Sequence, residues 1–287
     1  MNTHPVVVGI DGSGSAERSA RWAAAEAARR GVPLRLVHAY DVPLVYTQGV
    51  VAPRQVLDVL REEGESWLRV AGEAASAAAP GVGIELVAVQ GDAVPTLIEQ
   101  SRDATLVALG SRGLGGFGAL LVGSTAVGVT GRAHCPVVVV REDSVADGPV
   151  VVGVSGTPEG EGAIGFAFQQ ASVSGRELVA VHAWADSVID ILRDEGSTVW
   201  DFAPAELHAK EILAERLAGW PEKYPDVALN RVVVHEHPAR ALLQHAETAS
   251  LLVVGTHGRG ALAGTVLGSV SQQLLHHATG AVAVIPV

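Results

Sequence analysis

One pattern occurs twice in this chain and limits what it can fold into. Gly110-Ser111-Arg112-Gly113, nine residues and Gly123-Ser124 return as Gly255-Thr256-His257-Gly258, nine residues and Gly268-Ser269. Each copy follows an apolar run, residues 105–109 or 251–254, and leads into a stretch with helical character. A strand, a glycine loop and a helix start in that order make an anion-binding device. Glycine lets backbone approach a ligand closely, and the unpaired N–H groups of a helix start face negative charge.

The duplication extends beyond the loops. Gly9 and Gly153 are 144 residues apart, as are His38 and His182, and Gly110 and Gly255 are 145 apart. A period this long implies two domains rather than a solenoid. We expect domains at residues 1–143 and 149–287, joined by a linker at 144–148.

Within the first copy, residues 5–10, 34–39, 84–89, 105–109 and 137–141 are short Val- and Leu-rich runs that read as strands buried on both faces. Helices are expected between them, at about 15–30, 55–79, 94–100 and 123–132. Ala16, Ala20, Ala23, Ala24 and Ala27 share one face of the first. Val56, Leu60, Trp67, Leu68 and Ala71 are expected to face inward from the second. Residues 40–53 form a long connection of the kind that often carries function. The second copy repeats the plan, with helices expected at about 162–174, 204–220, 238–245 and 270–277. Such alternation predicts an α/β fold: two tandem Rossmann-like domains, each an open five-stranded parallel sheet with helices on both faces. Ligands of open α/β sheets bind at the carboxyl ends of strands near a switch in strand order, where Asp11 and Gly110 both fall. The run at 281–287 would form an edge strand, and pairing with another copy is one way to cover it.

Composition narrows the function. The net charge of −11 argues against a nucleic-acid surface, but backbone amides can hold phosphates within an acidic protein. Only two lysines are present, Lys210 and Lys223, so no P-loop lysine is available. One cysteine, Cys135, excludes an internal disulfide and reads as a small buried residue. Residues 1–5 lack the charged and apolar regions of a signal peptide, and no apolar run reaches the roughly 20 residues of a membrane helix. A cytoplasmic protein without membrane insertion is expected.

The residues carry a resemblance. Val-Gly-Ile-Asp-Gly-Ser at 8–13, Leu-Val-His-Ala-Tyr at 36–40, His134-Cys135-Pro136-Val137-Val138 and the doubled glycine motif make each half similar to a universal stress protein domain. The whole chain resembles the tandem form common in actinobacteria. The resemblance implies a five-stranded parallel sheet, ATP with Mg²⁺ as ligand, a regulatory role in stress response or growth control, and a homodimer or intrachain domain pairing with a regulatory protein partner. By the same resemblance, Gly9 and Asp11 would lie by ribose and adenine, and Ala39 by the adenine edge. Gly110, Arg112 and Gly113 would pass under ribose and phosphates, and Gly123, Ser124 and Thr125 would hold the triphosphate. The matching positions are Gly153, Ala183, Gly255, Gly258, Gly268, Ser269 and Val270. Ser155 stands in the place of Asp11, which puts the second site in doubt, and Ala126 stands in the place of Ser271, a hydroxyl that would otherwise meet a phosphate.

Other readings stay open. The glycines could serve a tight turn alone, Ser124 and Ser269 could be N-caps, and Asp11 could be a turn residue. Arg112 could be a solvated charge. His38 and His182 read as core histidines, and Trp184, Trp200 and Phe202 as an adenine cover or as packing. His235 and His237 could suit a metal but lack a third ligand, so no metal residue and no catalytic residue is assigned. A slow ATP hydrolase or nucleotidyl transferase and a non-nucleotide scaffold are the alternative functions.

Overall fold

The structure, a computed structural model, describes residues 4–41, 54–113, 122–141, 147–184, 203–256 and 267–287. It divides into two compact units, Met1–Glu142 and Asp143–Val287.

The first unit alternates β1 (Val6–Gly9), α1 (Gly14–Arg30), β2 (Leu34–Tyr40), α2 (Arg54–Ala78), β3 (Ile84–Gln90), α3 (Ala93–Gln100), β4 (Leu106–Gly110), α4 (Ser124–Thr130) and β5 (Val137–Val140). Its strands are parallel in the order β3-β2-β1-β4-β5. The order reverses between β1 and β4, so their carboxyl ends open a crevice. Val6, Val7, Val8, Leu106, Val107 and Ala108 are all fully buried, which is why these runs carry no polar alternation. Helices α1 and α2 pack together, and α3 packs with α4, one pair on each face.

The alanine stripe of α1 is buried as expected and lets the helix lie close to the sheet. The same helix buries Glu26, which periodicity did not reveal; Arg29 and Arg30 hold it at 2.7 and 2.5 Å. Helix α2 corrects one expectation: Val56 is 42% exposed. The buried stripe begins only at Gly64 and continues through Leu68, Ala71 and Ala75, a helical repeat that Val56 does not share.

The second unit runs β6 (Val150–Gly153), α5 (Glu161–Ser174), β7 (Leu178–Ala183), α6 (Ala203–Arg216), β8 (Leu229–Val234), α7 (Pro238–Ala246), β9 (Leu251–Gly255), α8 (Ser269–His277) and β10 (Val282–Ile285). Its parallel order is β8-β7-β6-β9-β10. The helix expected at 204–220 stops at Arg216. Gly219 takes a left-handed φ of 78° and starts a separate turn, Trp220–Lys223. Trp220 then stacks on Phe168 with ring centroids 5.6 Å apart. Of the expected linker, residues 144–146 lie outside the described residues, and Gly148 is tied into this unit because its carbonyl accepts from Arg176 Nη1 at 2.9 Å. Among the described residues no helix is long and apolar enough to cross a membrane.

Candidate nucleotide site

The site is built from two strand ends and one helix start. Past β1, Ile10 N–H donates to Val37 O at 2.8 Å and holds the chain against β2. Asp11 then turns back on its own loop: its Oδ1 accepts from Ser13 N at 3.0 Å and from Ser13 Oγ at 2.6 Å. Ser13 caps α1, with Oγ accepting from Ala16 N at 3.2 Å. Gly12 sits between them at φ 81°, and a Cβ there would stand 2.6 Å from the Trp67 ring. Both the conformation and the close ring require glycine.

The end of β4 is pressed against the same turn. A Cβ on Gly110 would come within 2.9 Å of the Ser15 backbone carbon, and one on Gly113 would collide with Asp11 Oδ2. Gly123 N–H donates to Ser111 O at 2.8 Å, so the two ends of the glycine motif meet. Gly123 is the N-cap of α4, extended at φ −69° and ψ 148°, and no side chain caps the helix. The amides of Ser124, Thr125 and Ala126 are left as the first-turn donors that an anion would satisfy.

These parts enclose a cleft of about 490 Å³, within the range of small-molecule sites. All nine residues expected in the first domain line it: Gly9, Asp11, Ala39, Gly110, Arg112, Gly113, Gly123, Ser124 and Thr125. Sequence reasoning missed the apolar wall. Val37 and His38 come from β2, and Ala93 and Leu97 from α3. The only signal for Ala93 and Leu97 was their spacing of four, which puts both on one helix face. His38 is a core histidine, its Nδ1 2.7 Å from Ile10 O, and it also edges the cleft. Neither lysine lines it: Lys210 pairs with Glu206 at 2.6 Å, and Lys223 lies over Trp220.

The second domain repeats the frame with different groups. Gly268 N–H donates to Thr256 O at 2.8 Å, and Gly268 begins α8 with no side-chain cap. Ser269 and Val270 therefore sit in an uncapped first turn, while Gly153, Ala183 and Gly255 close their strands. Gly258 and His257 lie outside the described residues. Ser155 keeps the turn of Asp11: its Oγ accepts from Thr157 N at 3.4 Å and lies 3.2 Å from Thr157 Oγ1. The turn survives and the carboxylate does not. Ser271 corrects an expectation. The residue is only 3% exposed, and its hydroxyl donates to Gly255 O at 2.7 Å and ties the helix to the strand end instead of facing a ligand.

Trp184 is buried and stacks on His235 with ring centroids 4.3 Å apart, which makes it packing. Trp200 and Phe202 lie outside the described residues. Among the described residues no three His, Cys, Asp or Glu side chains stand together as metal ligands. Burial pushes the Cys135 thiol up to about 12 and outweighs the opposing hydrogen bond with the Val107 backbone, so it is an inert core residue.

Comparison with known proteins agrees with this architecture. The model of the Universal stress protein family matches residues 2–141 and 148–286. Universal stress protein Rv2005c of Mycobacterium tuberculosis is 40% identical over 96% of this chain and 94% of its own. Universal stress protein Rv2623 of the same organism is 41% identical over 93% of this chain and 91% of its own. The crystal structure of a universal stress protein from Archaeoglobus fulgidus superposes with a TM-score of 0.73 at 19% identity, over 100% of this chain and 99% of that one, a likeness of fold. Single-domain members have been solved in complex with cAMP, at 28% identity over 48% of this chain and 96% of that one (TM-score 0.35), and with dAMP, at 25% identity over 48% and 97% (TM-score 0.36).

Proposed function

The chain belongs to the universal stress protein family, and from that premise we propose that its first domain binds ATP and that the bound nucleotide serves regulation in stress or growth control rather than turnover. The observation that carries this is the uncapped start of α4, set by the Gly123–Ser111 hydrogen bond at the mouth of a cleft at the strand switch. Peptide amides there suit phosphate. The apolar wall of Val37, Ala93 and Leu97 suits a purine, and Ala39 at the end of β2 offers backbone to its edge. Magnesium on the phosphates would neutralise charge, and Asp11, the one carboxylate among the described residues of the cleft wall, would hold a metal-bound water or a ribose hydroxyl.

The donor set fits binding better than chemistry. Asp11 Oδ1 is engaged by Ser13, and no lysine lines the cleft. Family members in complex with cAMP and dAMP support a nucleotide in general; the triphosphate is our own reading. Calorimetric titration of ATP with magnesium tests it. Wild type should bind, and Asp11→Ala should bind roughly tenfold or more weakly, since a hydrogen bond to a charged group contributes about 1.5–3 kcal/mol. Equal binding by both proteins, or none by wild type, would overturn the first-site model. Mass spectrometry of gently purified protein separates a nucleotide carrier, which brings ATP with it, from a scaffold, which does not.

A further inference from the structure

Two arginines stand where the sheet opens beside the glycine loop of the first domain. Gly110 and Val140 are register partners in β4 and β5, and Ser111 N–H donates to Val140 O at 3.2 Å. Arg112 follows two residues after Gly110, and Arg141 directly follows Val140. Both therefore leave the sheet at the end that holds the cleft. Arg112 lines that cleft, and Arg141 is partly buried with its Nε enclosed. Burial and then the Arg112 charge hold the Arg141 pKa below its ordinary value. Like charges repel each other. In a chain of net charge −11, general basicity does not explain such a pair.

The second domain lacks the arrangement at the same station. Ile285 is the register partner of Gly255, and Thr256 N–H donates to Ile285 O at 2.9 Å. The next residue is Pro286, where the first domain has Arg141, and the position matching Arg112 is His257.

We propose that Arg112 and Arg141 together receive the terminal phosphates of the nucleotide in the first domain, so that this site separates triphosphate from monophosphate. Arg141 is then a specificity-determining residue that the glycine motif does not include. Guanidinium is suited to this because its planar fork offers several donors to phosphate oxygens, and a polyanion would relieve the repulsion between the pair. The proposal rests on the nucleotide reading above.

The test is calorimetric titration of the full chain with ATP, ADP and AMP in magnesium, comparing wild type, Arg141→Gln and Arg112→Gln. Wild type should prefer ATP over AMP by roughly tenfold or more. Each variant should lose most of that preference, with ATP binding weakened far more than AMP binding. Inorganic tripolyphosphate should raise the melting temperature of wild type more than that of either variant. A variant whose ATP-to-AMP ratio matches wild type, or that weakens both ligands equally, overturns the proposal and leaves Arg141 a structural residue. If Arg141→Gln does not fold, Arg112→Gln, altered at an exposed loop position, decides alone by the same ratio. Wild type that binds ATP without preferring it sinks this proposal only, whereas wild type that binds no nucleotide sinks the nucleotide reading with it.

Discussion

The two domains share a frame and differ in the charges mounted on it. Each closes its glycine motif with a backbone hydrogen bond of 2.8 Å, from Gly123 to Ser111 and from Gly268 to Thr256. Each starts the following helix without a side-chain cap. Each ends its first strand in a turn held by a side-chain oxygen two residues ahead of its donor, Asp11 to Ser13 or Ser155 to Thr157. Within that common geometry the first domain carries a carboxylate and two arginines, and the second carries a hydroxyl, a histidine position and a proline. A duplicated fold can therefore keep the backbone device for phosphate while its side chains diverge, because amides placed by strand ends and glycines do not depend on the neighbouring residues' charge.

Restoring the carboxylate should have the largest effect. Ser155→Asp, made in an Asp11→Ala background so that the first site is weakened, should strengthen magnesium–ATP binding by the second domain by about tenfold, the difference between a charged and a neutral acceptor. The Asp would inherit the amide of Thr157 as Asp11 holds that of Ser13. Calorimetry showing no gain would mean that the domains differ for reasons other than this residue.

Ser271→Ala sharpens the comparison on the helix side. Its hydroxyl is committed to Gly255 O, so its loss should cost about 1 kcal/mol of stability in the second domain, with nucleotide affinity unchanged. Denaturant unfolding beside a titration reads both. Unchanged stability with weaker nucleotide binding would return the hydroxyl to the phosphates.

The smallest effect at neutral pH concerns Cys135, whose place in the second domain is taken by Gly280. The thiol is raised from 9.0 to about 12 in the folded chain, chiefly by burial. The folded state thus favours the neutral thiol. Its contribution is fully present below the unfolded pKa and is lost as pH rises from there through the folded value, with a slope of at most about 1.4 kcal/mol per pH unit. Between pH 7 and 8 the native protein should resist a thiol reagent, and Cys135→Ser should flatten the alkaline loss of stability in a pH-dependent melt. A fast-reacting native thiol at pH 8 would show the site to be open.

Much of this was legible before any coordinates. Runs such as residues 5–10 and 105–109 announce buried parallel strands because both faces of each are apolar, and the alanine spacing of α1 announces a helix that lies close to its sheet. The nine residues expected at the first site line one cleft because strand ends and glycine motifs are local in sequence. Val56 was misplaced because helical periodicity alone does not say where along a 25-residue helix the packing begins. Ser271 was misread because whether a hydroxyl faces a ligand or a strand carbonyl depends on the path of another chain segment.

Repeated spacing, apolar runs and glycine positions were enough to define a duplicated α/β frame, since each acts through neighbours a few residues away. The pairing of Gly110 with Val140 that sets the chain after β4 beside the end of β5, the α3 wall of the cleft and the burial of Glu26 needed the folded chain. They arise from contacts between residues that strand register and helix packing bring together, and linear spacing carries no measure of those.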